Sequence, residues 1–313
     1  MLRWNAGSSD GQPDSVFEGN EIIEVLSTSS DGRLLACGSD RAVIRIISVS
    51  GEGVMYELTG HTDKIKALAF TPDNKELVSS GVDGKIIMWD MENRKPELLL
   101  TASEAVNALD VSASGKYLIA ASDSGLIHLW DLENKTAINA LDTEKGSIRV
   151  VRFMDDKSYA VGYQTGLIEF WNAGEKSSNE SVKAHPVRVT DIQFNNELRQ
   201  MASSGFDGLV KIWNYDDLSE PPISLDDNDG FVSSLSFSPD GRLLLSGSAG
   251  SVNNRNLIAR PTHVDYMAND ICKLLTRNFT PEEWWRYVGR DIDYEKTCSK
   301  NELSIKVQEK KGD

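Results

Sequence analysis

No stretch of the 313-residue chain approaches the ~18 apolar residues of a membrane helix. The opening Met1-Leu2-Arg3-Trp4-Asn5-Ala6-Gly7 lacks the apolar run of about 7 to 15 residues that a secretory signal needs. Cysteine is scarce: Cys37, Cys272 and Cys298 are too few for a disulfide framework and form no Cys-x-x-Cys metal pair. Four scattered histidines supply no metal motif, and glycine-rich phosphate loops are missing, so neither metal nor cofactor is expected. Basic charge is short as well, with 33 Lys and Arg against 48 Asp and Glu, a net charge of −15. A body so charged repels phosphate, which argues against nucleic acid and anionic membrane as partners. Residues 262–313 hold 9 basic and 10 acidic side chains, so the acidity belongs to the part before them. A cytoplasmic location is the expectation.

What is present is repetition. Trp89, Trp130, Trp171 and Trp213 are spaced 41, 41 and 42 residues apart. Stepping back 43 from Trp89 reaches Ile46, in the strand-like run Val43-Ile44-Arg45-Ile46-Ile47, and a further 42 reaches Trp4. Each unit has the order of short apolar alternation, turn, small and apolar run, turn, β-branched run ending at Trp, then a weaker strand. Asp83-Gly84 and Asp207-Gly208 lie between β-rich runs, a hairpin signal in which both central residues of the turn take positive φ. A four-stranded sheet of this size has two apolar faces, and stacking such sheets radially buries both. The period therefore predicts an all-β propeller.

Six units have a recognisable first strand, beginning near Ile22, Ile65, Val106, Ile148, Val189 and Val232. Before them lies a partial N-terminal unit, with Leu2 to Trp4 as a third strand and Ser15 to Glu18 as a fourth. The last unit lacks its fourth strand. Ser15 to Glu18 would close a ring of six by supplying it; a missing upstream blade would instead make seven or more. After Pro261 the period becomes helical. Val264, Met267, Ala268, Ile271, Leu274 and Leu275 describe a helix from about Asp265 to Leu275. Thr280-Pro281-Glu282-Glu283 is a capping box opening a second helix to Val288, with Gly289 as its stop. The expected division is a propeller over 1–261 and a helical extension with a flexible tail over 262–313. Cys272 and Cys298 flank the second helix, as free thiols or as a pair.

Gly60-His61 with Trp89-Asp90, Trp130-Asp131 and Phe237-Ser238-Pro239-Asp240-Gly241 resemble the WD-repeat family over about residues 2–261. The resemblance implies a third strand ending at the Trp-Asp pair and a hydrogen-bonded His, Ser, Asp and Trp network. Its members here would be His61, Ser79, Asp83 and Trp89 in repeat two, and His185, Ser203, Asp207 and Trp213 in repeat five. Repeat one keeps Asp40 but has Glu18 and Ile46 at the His and Trp positions; repeats three and four carry Ser124 and Thr165 at the Asp position. The tail, with Cys272, Thr276 to Trp284 and Tyr294 to Cys298, is similar to the extreme C-terminus of large bacterial WD-repeat proteins. In those the propeller commonly follows an effector such as a caspase-like protease or a signalling NTPase.

The function implied is a non-catalytic scaffold or sensor that binds a protein or peptide with its loops. The loops entering each first strand and joining the second strand to the third offer Lys64, Lys66, Asn107, Arg149, Tyr163, Arg188, Thr190, Phe206, Phe231 and Ser233. Arg and aromatic side chains are favoured in binding hot spots. Gly7-Ser8-Ser9-Asp10-Gly11 matches Gly-x-Ser-x-Gly but sits in a polar loop rather than a strand-to-helix turn. The rival reading, a hydrolytic propeller, needs acidic side chains converging in the central channel.

Overall fold

The computed structural model describes residues 20–50, 53–228, 230–249 and 257–262, together with 2–3, 14–15, 278, 280 and 281. The fold is an all-β propeller of six blades. Blade one consists of Ile23–Thr28, Leu34–Ser39, Val43–Ser48 and Val54–Thr59, and blade two of Ile65–Phe70, Glu76–Gly81, Lys85–Asp90 and Lys95–Thr101. Blade three runs through Val106–Val111, Tyr117–Ser122, Leu126–Asp131 and Thr136–Asp142; blade four through Ile148–Phe153, Ser158–Tyr163, Leu167–Asn172 and Glu180–Lys183. Blade five holds Val189–Asn195, Gln200–Gly205, Val210–Asn214 and Ile223–Leu225, and blade six has three strands, Phe231–Phe237, Leu243–Ala249 and Leu257–Pro261. Each blade is an antiparallel meander in chain order.

Two compact units divide the chain, Met1–Leu235 with Ser246–Leu257 and Ser236–Leu245 with Ile258–Asp313. Blades one to five lie wholly in the first. In the second, Ser238 N–H donates to Leu243 O at 2.8 Å and Thr262 N–H to Arg242 O at 3.0 Å. Asp14–Ser15 pairs with Leu2–Arg3 in a separate two-stranded sheet, so Ser15 does not extend blade six; residues 16–19 lie outside the described residues. The two tail helices expected at 265–275 and 281–288 also lie outside them, apart from Pro281, which is helical. Cys272, Cys298 and the Gly-x-Ser-x-Gly match at 7–11 are outside them too.

The core lies between blades. Along the third strand of blade two, Ile87 and Trp89 face blade one, where they meet Ile44, Ile46 and Leu58. Ile86 and Met88, on the opposite face of the same strand, meet Leu109, Leu118 and Trp130 of blade three. Ile119 and Leu129 of blade three pack with Tyr159 and Trp171 of blade four. Phe170 and Ile168 of blade four pack with Ile192, Met201 and Trp213 of blade five. The strand period of two thus sends alternate apolar side chains to opposite neighbours. Removing one such side chain costs about 2–5 kcal/mol.

The turn at Asp83-Gly84 differs from the expected two-residue hairpin. Gly84 N–H donates to Gly81 O at 3.2 Å, and Gly84 but not Asp83 has positive φ, 72°. Asp83 instead accepts from Thr62 N–H at 2.8 Å and from Lys85 N–H at 3.1 Å, which fixes its place within the longer turn. A Cβ on Gly84 would stand 2.4 Å from Ala102 O, so the loop entering blade three excludes any side chain there.

In blade two, His61 Nδ1–H donates to Asp83 at 2.9 Å, Ser79 Oγ–H donates to His61 Nε2 at 2.7 Å, and Trp89 Nε1–H donates to Ser79 Oγ at 2.8 Å. In blade five the corresponding His185–Asp207, His185–Ser203 and Trp213–Ser203 distances are all 3.0 Å. Ala120 and Val161 stand where Ser79 stands, and the indole N–H groups of Trp130 and Trp171 are buried without a partner. Strand pairing also shifts blade one by a residue from the sequence expectation. Leu35 pairs with Ile47 as Leu77 pairs with Trp89, so Ile47 and not Ile46 occupies the Trp position. Asp40 N–H binds Ile22 O just as Val82 N–H binds Lys64 O, which leaves Arg41 at the position of Asp83. The spacing from Ile47 to Trp89 is 42, within the range of the other blades, so the backward step of 43 overshoots by one residue. Glu18 lies outside the described residues.

Asp83→Ala or Asp207→Ala should each lower unfolding free energy by about 1–3 kcal/mol, because a buried imidazole loses its acceptor; unchanged denaturant midpoints would refute this. Burial holds both imidazoles below their ordinary value, against the pull of the adjacent carboxylates. Between the lowered value and about 6.5 the unfolded chain binds the extra protons. Stability should therefore be full above about pH 6.5 and decline as pH falls below it. Denaturation curves at successive pH values should show this slope diminished in a His61→Asn/His185→Asn chain, with burial-lowered His128 supplying the remainder.

Candidate functional site

Five first strands break register at the same place. The pairing skips a residue between Ile23 and Val25, Ile65 and Ala67, Val106 and Ala108, Ile148 and Val150, and Val189 and Asp191. The skipped residues are Glu24, Lys66, Asn107, Arg149 and Thr190. A bulge leaves its residue out of the ladder and re-aims the side chain. Just before each bulge, the turn between second and third strands is tied down by one backbone bond: Val82 N–H to Lys64 O, Gln164 N–H to Ser147 O and Phe206 N–H to Arg188 O, each at 2.9 Å. Three positions per blade are therefore gathered at one end of the sheet.

The side chains there fall into three groups. Around blades one and two, Glu24 holds Lys66 at 3.2 Å and Lys64 at 3.8 Å. Around blades three and four, Asp123 accepts from Ser147 Oγ at 2.6 Å and Asn107 Nδ2 at 3.0 Å, and pairs with Arg149 at 3.6 Å. The Ser147 bond first, then Asn107 and Arg149, hold Asp123 below the usual carboxylate range. Arg149 Nε–H also donates to Gln164 Oε1 at 2.7 Å.

At blade five the Arg188 guanidinium lies 4.5 Å from the Phe206 ring centre. Phe206 stacks on Phe231 with centroids 4.4 Å apart and an interplanar angle of 23°. Phe206 is 47% exposed and Val187 43%. Thr190 Oγ1–H donates to Val232 O at 2.5 Å, and Ser233 Oγ–H to Gly247 O at 3.1 Å.

Tyr163 does not belong to this face. It is fully buried and donates to Glu169 Oε2 at 2.6 Å, and burial raises its pKa. Its position explains why. Gly81 and Gly205 end the second strands of blades two and five, where a Cβ would meet the His61 ring at 3.2 Å and the His185 ring at 2.5 Å. Blade four has Thr143 in place of histidine, to judge by its N–H bond to Gly125 O, the counterpart of His185 N–H to Gly166 O. The Tyr163 ring fills the volume that the imidazole leaves. Glu24, Asp123 and Gln164, which hold the candidate cations, were not singled out from the sequence; stepping back by the 41–42 residue period, once from Lys66 and twice from Phe206, would have reached them.

On the inner strands, carboxylates join blades. Asp110 Oδ2 accepts from Phe153 N–H of blade four at 2.8 Å, and Asp191 Oδ2 from Leu235 N–H of blade six at 2.9 Å. Arg152 pairs with Asp191 at 3.3 Å. Both acids are thus engaged by neighbouring chain. Among the described residues no three His, Cys, Asp or Glu side chains gather as a metal site would require.

Four stretches, 53–90, 94–131, 176–214 and 219–253, match the family described as WD domain, G-beta repeat. Each begins ahead of the fourth strand of one blade and continues into the next, so every sequence repeat links two blades. The six sheets form a β-propeller, and these four stretches within it are similar to WD repeats. The chain is 40% identical over 80 residues to mouse Echinoderm microtubule-associated protein-like 4, a match covering 24% of this chain and 8% of that protein. It is 37% identical over 79 residues to Autophagy-related protein 18 of Meyerozyma guilliermondii, covering 24% and 14% respectively. The match therefore spans only a small part of these curated relatives. A chain from the crystal structure titled Mitotic Checkpoint Complex superposes with a TM-score of 0.73 at 21% identity, over 83% of this chain and 80% of that one, a likeness of fold.

Tyr163→Ala should cost about 3–5 kcal/mol, as for loss of a large core ring, whereas Phe206→Ala should stay within about 1 kcal/mol. Thermal melting of the two variants would contradict this placement if their order were reversed.

Proposed function

We propose that the chain is a non-catalytic interaction scaffold or sensor that presents its bulged loop face to a protein or peptide. The face comprises Lys64, Lys66, Asn107, Arg149, Arg188, Thr190, Phe206, Phe231 and Ser233. The observation that carries the reading is the repetition of the bulge in five blades, which delivers one re-aimed side chain per blade to the same end of the sheets. A rigid frame with varied residues at equivalent positions suits recognition, since its ordering cost is met on folding rather than on binding.

The wider setting we propose is cytoplasmic, as the sensing part of a bacterial multidomain signalling protein. Support for it comes from the tail's resemblance alone, and the relatives named above are eukaryotic. In this reading the propeller ends near residue 261, and 262–313 is a helical extension. A caspase-like or NTPase segment in frame upstream is the expected genomic context.

Affinity capture with mass spectrometry should recover a reproducible partner set with the native chain and lose most of it with an Arg149→Ala/Arg188→Ala chain of unchanged melting temperature. Full retention of that set by the double variant would place recognition elsewhere.

A further inference from the structure

Arg188 differs from the other cations of the loop face. Lys64 and Lys66 share Glu24, and Arg149 is paired with Asp123 and bonded to Gln164. Arg188 has no ion-pair or side-chain hydrogen-bond partner among the described residues; its contact is the Phe206 ring, 4.5 Å from the guanidinium carbon. Stacking engages one flat side of the guanidinium and leaves its N–H edge, the part that takes a carboxylate in bidentate fashion, available. Phe206 is itself buttressed by Phe231 at 4.4 Å, so the ring and the guanidinium present a preformed ledge. Burial, then the charge of Arg149, pushes Arg188 below its ordinary pKa, so an anion placed here relieves a cation held near another cation.

From this juxtaposition we infer that the Arg188–Phe206–Phe231 stack is a subsite for an acidic peptide segment, its carboxylate on Arg188 and a neighbouring aromatic or large aliphatic side chain on Phe206 and Val187. The inference rests on the loop-face reading and adds the chemistry of the ligand to it. Exposed apolar surface at Phe206 and Val187 beside an unpaired guanidinium asks for both features in one short segment. The net charge of −15 restricts the anion further. A polyanion carries its charge over many Debye lengths of about 8 Å each and is repelled by the body, whereas one or two carboxylates at contact distance feel mainly the arginines. Nucleic acid and polyphosphate are accordingly outside the proposal.

A phage-displayed library of random seven-residue peptides, selected on the full chain with Arg188→Ala and Phe206→Ala chains as parallel baits, tests the inference. Enriched peptides should carry Asp or Glu within two positions of Phe, Tyr, Trp or Leu. A labelled synthetic copy followed by fluorescence polarisation should weaken about tenfold or more when its acid is changed to the amide, and by a similar factor on Arg188→Ala. Arg199→Ala, which removes an exposed arginine paired with Asp216, serves as a control expected to bind normally. Melting curves confirm that each variant is folded. Peptides that need Phe206 but carry no acid, or that bind equally to Arg188→Ala, overturn the carboxylate subsite while leaving loop-face recognition standing. If no peptide is enriched over a bait lacking both Arg188 and Phe206, the subsite is overturned; partner capture by the native chain then decides the broader reading separately.

Discussion

A small four-stranded sheet with apolar residues on both faces has no way to bury them except against two other sheets, and that constraint governs this molecule. Ile86 and Ile87 are adjacent in sequence yet belong to cores on opposite sides of their blade. Burying a side chain of this size stabilises by about 1.5–3 kcal/mol, and blades two, three and four do so several times on each face. The His–Ser–Asp–Trp hydrogen bonds are secondary to this packing. Blades three and four lack them and keep two orphaned indole N–H groups, yet the interface they share holds Tyr159 and Tyr163 as well as Trp171. An unsatisfied buried donor costs about 1–3 kcal/mol, a loss of the same order as the gain from one extra buried aromatic ring.

The same packing decides where chemistry can be presented. Strand interiors are committed to neighbouring blades, and inner-strand acids such as Asp110 and Asp191 are committed to neighbouring backbone. What remains is the end of blades one to five where the first strand bulges. There the backbone is held by a repeated hydrogen bond while the side chains differ from blade to blade: glutamate, lysine, asparagine, arginine, threonine. Recognition by such a surface depends on which residues occupy those positions and not on any one catalytic group.

Much of the architecture could be read in the chain because its signals are local and repeated. Tryptophans 41 or 42 residues apart, β-branched runs and turn residues between them specify strands, their number and their order. The limits came from features that no single unit reveals. With no tryptophan to mark the position in blade one, a step of 43 from Trp89 reached Ile46, and strand pairing places the equivalence one residue on, at Ile47. Tyr163 sat at a loop-adjacent position in sequence, but its direction depends on Thr143, twenty residues earlier, leaving space for a ring. The stacking of Arg188, Phe206 and Phe231 joins residues from three connections, and neither period nor composition encodes their mutual distance.

If blades one to five support one another as described, none of them has independent stability. Residue-resolved amide hydrogen exchange under native conditions measures this directly, since the slowest amides report the opening free energy of each segment. The second and third strands of these five blades should exchange through a shared opening of nearly equal free energy. A separate and distinctly lower free energy for each blade, with the others remaining protected, would contradict the account.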